Sequence, residues 1–178
     1  MMWSTVVDPG HRGAVPAAAR VDALLGEGRS VFGVRLGVDV GQVRVGVARS
    51  DPHGVLATPV ATLARDLGAA PEAVPADMAE LKRLVSEVEA VEVVVGLPVN
   101  LAGKHGPAAV HVTAYAERLA EVLAPVPVSL TDERMSTVVA SRRLSERGVR
   151  GKRQRAVVDQ AAAVEILQSW LDAQRRRT

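Results

Sequence analysis

The sequence contains no cysteine among its 178 residues. Disulfides, iron–sulfur clusters, cysteine-ligated zinc and thiol nucleophiles are therefore excluded, and any bound metal has to be held by oxygen or imidazole. Only four histidines are present, so carboxylates are the favoured ligands. The absence of cysteine thus directs the search for a metal site to Asp and Glu.

Aromatic residues and long apolar runs are also scarce. The chain has one Phe, one Tyr and two Trp, whereas proteins that bind single strands stack successive bases on several aromatic side chains. An RRM or a cold-shock domain is therefore not expected. No apolar run approaches the roughly 18 residues of a membrane-spanning helix, and residues 1–30 lack the apolar stretch of a signal peptide. We expect a cytoplasmic protein without a membrane partner.

Charge is unevenly distributed along the chain, although the net charge is only +2. Residues 1–130 carry a net charge of −3, and residues 131–178 carry eleven basic and six acidic side chains. Most of the basic excess lies between residues 142 and 155, where one glutamate accompanies Arg142, Arg143, Arg147, Arg150, Lys152, Arg153 and Arg155. Such a segment is typical of a surface that binds a polyanion. The alternative is a solvated surface that is merely basic.

Periodicity predicts a single α/β domain. The 48% hydrophobic content is sufficient for one core. We expect an irregular extension over residues 1–32, one domain over 33–174 and a basic tail over 175–178. Within the domain, β-rich runs are predicted at 33–40, 43–49, 55–63, 91–97 and 126–130, and helices at 76–89, 107–123, 137–147 and 156–173. The first three strands should be antiparallel and the last two parallel, which gives a mixed five-stranded sheet flanked by helices.

Three acidic residues stand where a binding site is expected. Asp39 lies between valines in the first strand, where an uncompensated carboxylate would be costly to bury. Glu133 follows the fifth strand, at the carboxyl end where open α/β sheets place their sites. Asp159 lies on a helix face otherwise formed by small and apolar residues.

An oxygen-ligand site for Mg²⁺ or Mn²⁺ would explain these three acids, with phosphodiester hydrolysis as its natural use. The alternative is that Asp39 and Asp159 form buried salt bridges with Arg35, Arg44 or Arg134. Spacing alone does not choose between the two interpretations.

A glycine-rich segment spans residues 96–106, between the fourth strand and a helix that should begin near Pro107. Free backbone amides at such a helix start favour phosphate, and Lys104 adds a positive charge. The segment could equally be a connector in which the glycines only turn the chain.

Four segments in this order resemble the YqgF family, also called RuvX, of pre-16S rRNA nucleases and Holliday junction resolvase-like proteins. They are LGVDVGQVRVGVA from Leu36, VGLP from Val95, TDERMS from Thr131 and DQAAA from Asp159. The resemblance implies a ribonuclease H-like fold and an acidic catalytic and metal-binding triad at Asp39, Glu133 and Asp159.

The resemblance further implies a divalent-metal-dependent endonuclease, with 5′-end maturation of pre-16S rRNA as the first choice of function. The alternatives are a Holliday junction resolvase, a non-catalytic nucleic-acid-binding module, and an actin-like ATPase or sugar kinase, which normally needs two such domains. The expected partner is structured RNA or branched DNA, and a homodimer is left open. The residues expected to contact nucleic acid are Arg44, Lys104, Arg134, Arg150, Lys152, Arg153 and Arg155.

Overall fold

The structure is a computed structural model that describes residues 32–98, 106–132 and 152–177. The strands are β1 (Arg35–Val40), β2 (Arg44–Ser50), β3 (Ala57–Ala64), β4 (Glu92–Leu97) and β5 (Val128–Asp132). The helices are α1 (Ala76–Glu87), α2 (Pro107–Leu123) and α3 (Lys152–Arg175). Each strand begins one or two residues later than predicted, and α2 has the predicted bounds. The helix predicted at 137–147 lies outside the described residues, and α3 includes Arg175, the first residue of the predicted tail.

The five strands form one mixed sheet in the order β3–β2–β1–β4–β5. β1 pairs antiparallel with β2, and β2 pairs antiparallel with β3. β1 pairs parallel with β4, and β4 pairs parallel with β5. The predicted arrangement of antiparallel and parallel strands is therefore confirmed. It brings the carboxyl ends of β1, β4 and β5 to the same edge of the sheet.

Helices cover both faces of this sheet. On one face, Val38 of β1 belongs to a core cluster that includes Leu81 of α1 and Leu119 of α2. On the other face, Val94 of β4 packs in a second cluster with Leu167 of α3. Side chains alternate along a strand, so β2 and β4 contribute residues to both clusters, and the sheet forms the central layer of three.

Two glycines allow α3 to lie directly against the sheet. A Cβ atom at Gly37 in β1 would lie 2.6 Å from the Cβ of Leu167, and one at Gly46 in β2 would lie 2.0 Å from the carbonyl oxygen of Asp159. Both distances are too short for any side chain. Close contact between α3 and the sheet therefore depends on glycine at these two positions.

A buried polar network lies at the amino ends of the parallel strands. The Arg35 guanidinium pairs with the Glu92 carboxylate at 3.3 Å, and these side chains are 2% and 1% exposed. The Ser129 hydroxyl donates to the second oxygen of Glu92, and Arg35 also lies over the ring of Trp170 on α3. Arg35 was one of the partners considered for Asp39 or Asp159 in a buried salt bridge. The structure instead gives it a carboxylate at the opposite end of the strands.

Candidate functional site

Asp39 lies near the carboxyl end of β1 and is only 3% exposed. It is directly opposite Gly46 in the antiparallel pairing of β1 with β2. Paired residues in antiparallel strands direct their side chains to the same face, and the missing side chain of Gly46 would point at α3. Gly37, two residues before Asp39, faces α3 as well. The Asp39 carboxylate therefore lies on the face that α3 covers.

Asp159 comes to this position because α3 presents a buried stripe to the sheet. This stripe is buried as predicted, and it consists of Ala162, Ala163, Ile166, Leu167 and Trp170. The Asp159 side chain is 24% exposed, so it lies at the accessible end of the stripe rather than within the core. Its backbone contacts Gly46, the residue paired with Asp39. Two of the three predicted acids are thus brought to neighbouring positions on one face.

Arg44 of β2 forms an ion pair with Asp159. The guanidinium Nε donates to Asp159 Oδ2 at 2.6 Å, and the two side chains are 27% and 24% exposed. This is one of the salt bridges that the sequence analysis kept as an alternative, although the pair is partly exposed rather than buried. The role of Asp159 as a metal ligand stays a prediction. The prediction that Arg44 contacts nucleic acid stays a prediction.

The third acid, Glu133, lies outside the described residues, as does Arg134. The residue before it, Asp132, ends β5 and pairs with Leu97 at the end of β4. β1 and β4 are parallel and paired up to Val38 and Val95. The end of β5 therefore lies at the same edge of the sheet as Asp39, which is the placement that the strand order predicts.

The other predicted contact residues are positioned only in part. Lys104 and Arg150 lie outside the described residues. Lys152, Arg153 and Arg155 belong to the first turn of α3, for which only the backbone is described. The predicted start of α2 is confirmed, because Gly106 is the N-cap residue and Pro107 is the first helical residue.

The donors at this site suit a hard divalent cation. Asp39 and Asp159 supply carboxylate oxygens, which Mg²⁺ and Mn²⁺ prefer. Within residues 32–98, 106–132 and 152–177, no group of three His, Cys, Asp or Glu side chains could hold a metal ion. Asp39 and Asp159 are the two predicted ligands that lie within these ranges, and Arg44 pairs with Asp159.

A second polar cluster, which the sequence analysis did not predict, lies on the opposite face of the sheet. The Tyr115 hydroxyl of α2 donates to Asp77 Oδ2 of α1 at 2.9 Å, and both residues are buried. Burial and the neighbouring Asp77 carboxylate raise the pKa of Tyr115 far above its usual value. The Arg65 guanidinium lies over the Tyr115 ring, 5.0 Å from its centre, and also contacts His111 Nε2. Arg65 and Asp77 are far from His111 and Tyr115 in the sequence, and the hydrophobic periodicity gives no sign that they meet.

The strand order and the helix-covered faces define an α/β protein with a ribonuclease H-like fold. The family model described as "RuvX: Holliday junction resolvase" matches residues 33–173. The chain therefore belongs to the RuvX family. None of the helices within the described ranges is both long and apolar enough to cross a bilayer.

Similar proteins carry related names. A protein of Mycobacterium sp. (strain KMS) named "Putative pre-16S rRNA nuclease" is 57% identical over 150 residues, covering 84% of this chain and 86% of the relative. A protein of Streptomyces avermitilis with the same name is 56% identical over 144 residues, covering 80% of this chain and 88% of the relative. Among solved structures, Thermus thermophilus RuvC in complex with a Holliday junction substrate aligns with a TM-score of 0.46 at 15% identity. That alignment covers 82% of this chain and 97% of the other.

Proposed function

We propose that this protein is a metal-dependent nuclease that hydrolyses phosphodiester bonds during 5′-end maturation of pre-16S rRNA. The observation that carries the proposal is the buried Asp39 carboxylate on the α3 face, opposite the glycine that Asp159 contacts. Carboxylate oxygens are the ligands that Mg²⁺ and Mn²⁺ prefer, and these two acids would help to hold such a cation. The names of relatives more than 50% identical over most of the chain support the choice of pre-16S rRNA.

Asp39, Glu133 and Asp159 are the residues that would hold Mg²⁺ or Mn²⁺. Glu133 follows Asp132 directly, so its Cα lies about 3.8 Å from that of the last residue of β5. It would thus lie at the edge of the sheet where β1 carries Asp39. Three acids from two strand ends and one helix would then meet on a single edge.

The bound cation would activate the attacking water and stabilise the negative charge that develops on the phosphate and the leaving oxygen. The chain's own residues would hold this arrangement. Asp39 is fixed by its burial in β1, and Arg44 restrains the Asp159 carboxylate by donating to Oδ2. Such positioning matters because a site that is loose by about 1 Å loses most of its catalytic advantage. The basic segment 142–155 would bind the phosphate backbone of the substrate.

Cleavage of a four-way DNA junction is the second candidate activity. It is favoured by the description of the family model, which names a Holliday junction resolvase. Both activities would use the same acids and the same metal. They differ in the nucleic acid that reaches the site.

The experiment is a cleavage assay with the purified full chain on two labelled substrates. One is a structured RNA with the 5′ extension of 16S rRNA, and the other is a four-way DNA junction. We expect cleavage of the RNA at a defined position with Mg²⁺ or Mn²⁺, poor cleavage with Ca²⁺ and none with EDTA, because the reaction needs a small, tightly organised ion. Preferential cutting of the junction would favour the second activity. Equal cleavage in EDTA would contradict a metal-dependent reaction.

A further inference from the structure

Arg65 follows β3 and meets the turn between β1 and β2. Its Nη1 donates to the carbonyl oxygen of Gly41 at 3.3 Å, and its backbone N–H donates to the carbonyl of Val43. Gly41 is two residues after Asp39, so their Cα atoms are at most about 7 Å apart. Arg65 thus lies beside the turn that leaves the proposed catalytic strand.

The guanidinium of Arg65 is held in a defined orientation. One of its faces lies over the Tyr115 ring, and that ring is fixed because the hydroxyl donates to the buried Asp77 carboxylate. Nη1 also contacts His111 Nε2. Arginine stays protonated and can only donate, so the imidazole nitrogen is the acceptor. The Gly41 carbonyl, the Tyr115 ring and the His111 imidazole therefore restrain the Arg65 guanidinium, which carries a full positive charge.

This positive charge has no acidic partner in the part of the chain that the structure describes. Arg44, Arg83 and Arg175 form ion pairs with carboxylates. None of the ion pairs among the described residues involves Arg65, and the residue is partly exposed. An arginine that is held in a fixed orientation and has no acidic partner among the described residues is suited to binding an anion.

We propose that Arg65, oriented by His111 and Tyr115, binds a backbone phosphate of the nucleic acid beside the proposed cleavage site. The proposal rests on the proposed function, because the substrate supplies the phosphate. Arg44 pairs with Ala64 in the register of β2 and β3, so Arg65 is directed to the opposite face of the sheet. The substrate strand would therefore contact the turn of residues 41–43 from the side of α2, while the acids act from the side of α3.

The direct test is the affinity of Arg65→Gln for the structured RNA, measured in an Asp39→Asn background so that the RNA stays intact. We expect affinity to fall about tenfold, the size of one charge-assisted hydrogen bond. The slope of log affinity against log salt should fall by about one unit, because binding releases fewer counterions when one phosphate fewer is neutralised. Arg65→Lys keeps the charge and should keep the slope. Arg49→Gln is the matched control, since Arg49 is an exposed arginine near the other end of β2 and should change neither quantity.

His111→Gln keeps the proposal testable if the Arg65 variants unfold, because His111 is exposed and its replacement leaves the core intact. We expect a smaller decrease in affinity with the thermal midpoint unchanged. Unchanged affinity and an unchanged salt slope in folded Arg65→Gln would overturn the phosphate site. An equal decrease in Arg49→Gln would also overturn it, because the effect would then be one of general charge. Absence of cleavage by the unsubstituted protein would contradict the proposed function, whereas the binding comparison tests Arg65 separately.

Discussion

At Gly46 the backbones of β2 and α3 touch, and this contact sets the position of Asp159 relative to Asp39. Any side chain at residue 46 would begin 2.0 Å from the carbonyl oxygen of Asp159. The obstacle is backbone rather than a flexible side chain, so α3 itself would have to move. Stability and the geometry of the site are therefore linked through this one residue.

We expect Gly46→Ala to lower the free energy of unfolding by at least about 1–3 kcal/mol, the usual effect of overpacking. The cleavage rate should fall by more than the fraction of folded protein does, because the displaced helix carries Asp159. Denaturant unfolding and single-turnover rates measure the two effects. Gly68→Ala is the matched control, since a Cβ there has nothing within 4 Å, and it should change neither. Wild-type activity in folded Gly46→Ala would show that the position of α3 does not matter.

Arg44 is the residue that restrains Asp159. If Asp159 is a metal ligand as we propose, we expect Arg44→Gln to lower the cleavage rate about 10–100-fold, the usual effect of losing a residue that orients such a ligand. Stability should change by no more than about 1 kcal/mol, because the pair is partly exposed.

The matched control for Arg44 is Arg83→Gln, which breaks exposed pairs with Glu80 and Glu87 on α1 and should leave the rate unchanged. Kinetics and thermal unfolding of both variants provide the comparison. A full rate in Arg44→Gln would mean that the ion pair does not position Asp159.

At the scale of elements, α1 and α2 are joined by the hydrogen bond from Tyr115 to Asp77. The raised pKa of Tyr115 means that the folded protein keeps its hydroxyl proton to higher pH than the unfolded chain, where tyrosine has a pKa of about 10. The contribution of this group to stability is complete below about pH 10 and disappears as the pH rises towards the folded pKa.

We therefore expect the unfolding free energy of the wild type to fall above about pH 10 more steeply than that of Tyr115→Phe. At neutral pH the variant should be less stable by about 1–3 kcal/mol, since it leaves a buried carboxylate oxygen without its donor. Tyr115 is the only tyrosine, so its ultraviolet titration reports this group alone. Titration of the folded protein near pH 10 would contradict the assignment.

The elements were largely predictable because their signals are local. Pro107 after Gly106 indicated the start of α2. The tight turn between the first two β-rich runs indicated antiparallel strands, and the strand–helix–strand spacing indicated parallel ones. The stripe from Ala162 to Trp170 correctly predicted the face that α3 buries. The boundaries were less accurate because pairing, rather than composition, decides where a strand begins.

The pairing partners of polar side chains were harder to predict. Arg44 was one of three possible partners for Asp159. It is selected by the way α3 packs on β2, which the sequence does not reveal. Arg35 was considered for the acids of the site but pairs with Glu92, which the sequence analysis did not single out. The cluster of Arg65, Tyr115 and Asp77 depends on contacts between three separate elements. Contacts between polar side chains of different elements leave no local signal in the sequence.

At the scale of the whole molecule, the charge asymmetry suggests how the substrate is held. The basic segment leads directly into α3, the helix that carries Asp159. Binding of a polyanion to residues 142–155 would therefore act on the element that completes the acidic site.

We expect the combined change of Arg150, Lys152 and Arg153 to Ala to weaken binding of unrelated RNA sequences alike. The slope of log affinity against log salt should fall by about one unit for each phosphate that the variant no longer neutralises. Turnover should fall as well if this segment orders the start of α3 around the substrate. Affinity measured at several salt concentrations gives the slope, and single-turnover rates give the effect on turnover. An unchanged slope and an unchanged affinity would mean that the segment is only a solvated surface.

If Asp39 is a metal-binding carboxylate of a nuclease site, as we propose, cleavage of structured pre-16S rRNA by Asp39→Asn is the decisive measurement. We predict that cleavage with Mg²⁺ or Mn²⁺ is abolished while the fold is kept. The thermal midpoint without metal should be unchanged or raised, because one of several mutually repelling carboxylates is removed. Asp172→Asn, the same change at a partly exposed position of α3, should cleave normally. Full cleavage by Asp39→Asn would contradict the account, and gross unfolding would indicate that Asp39 serves a buried salt bridge instead.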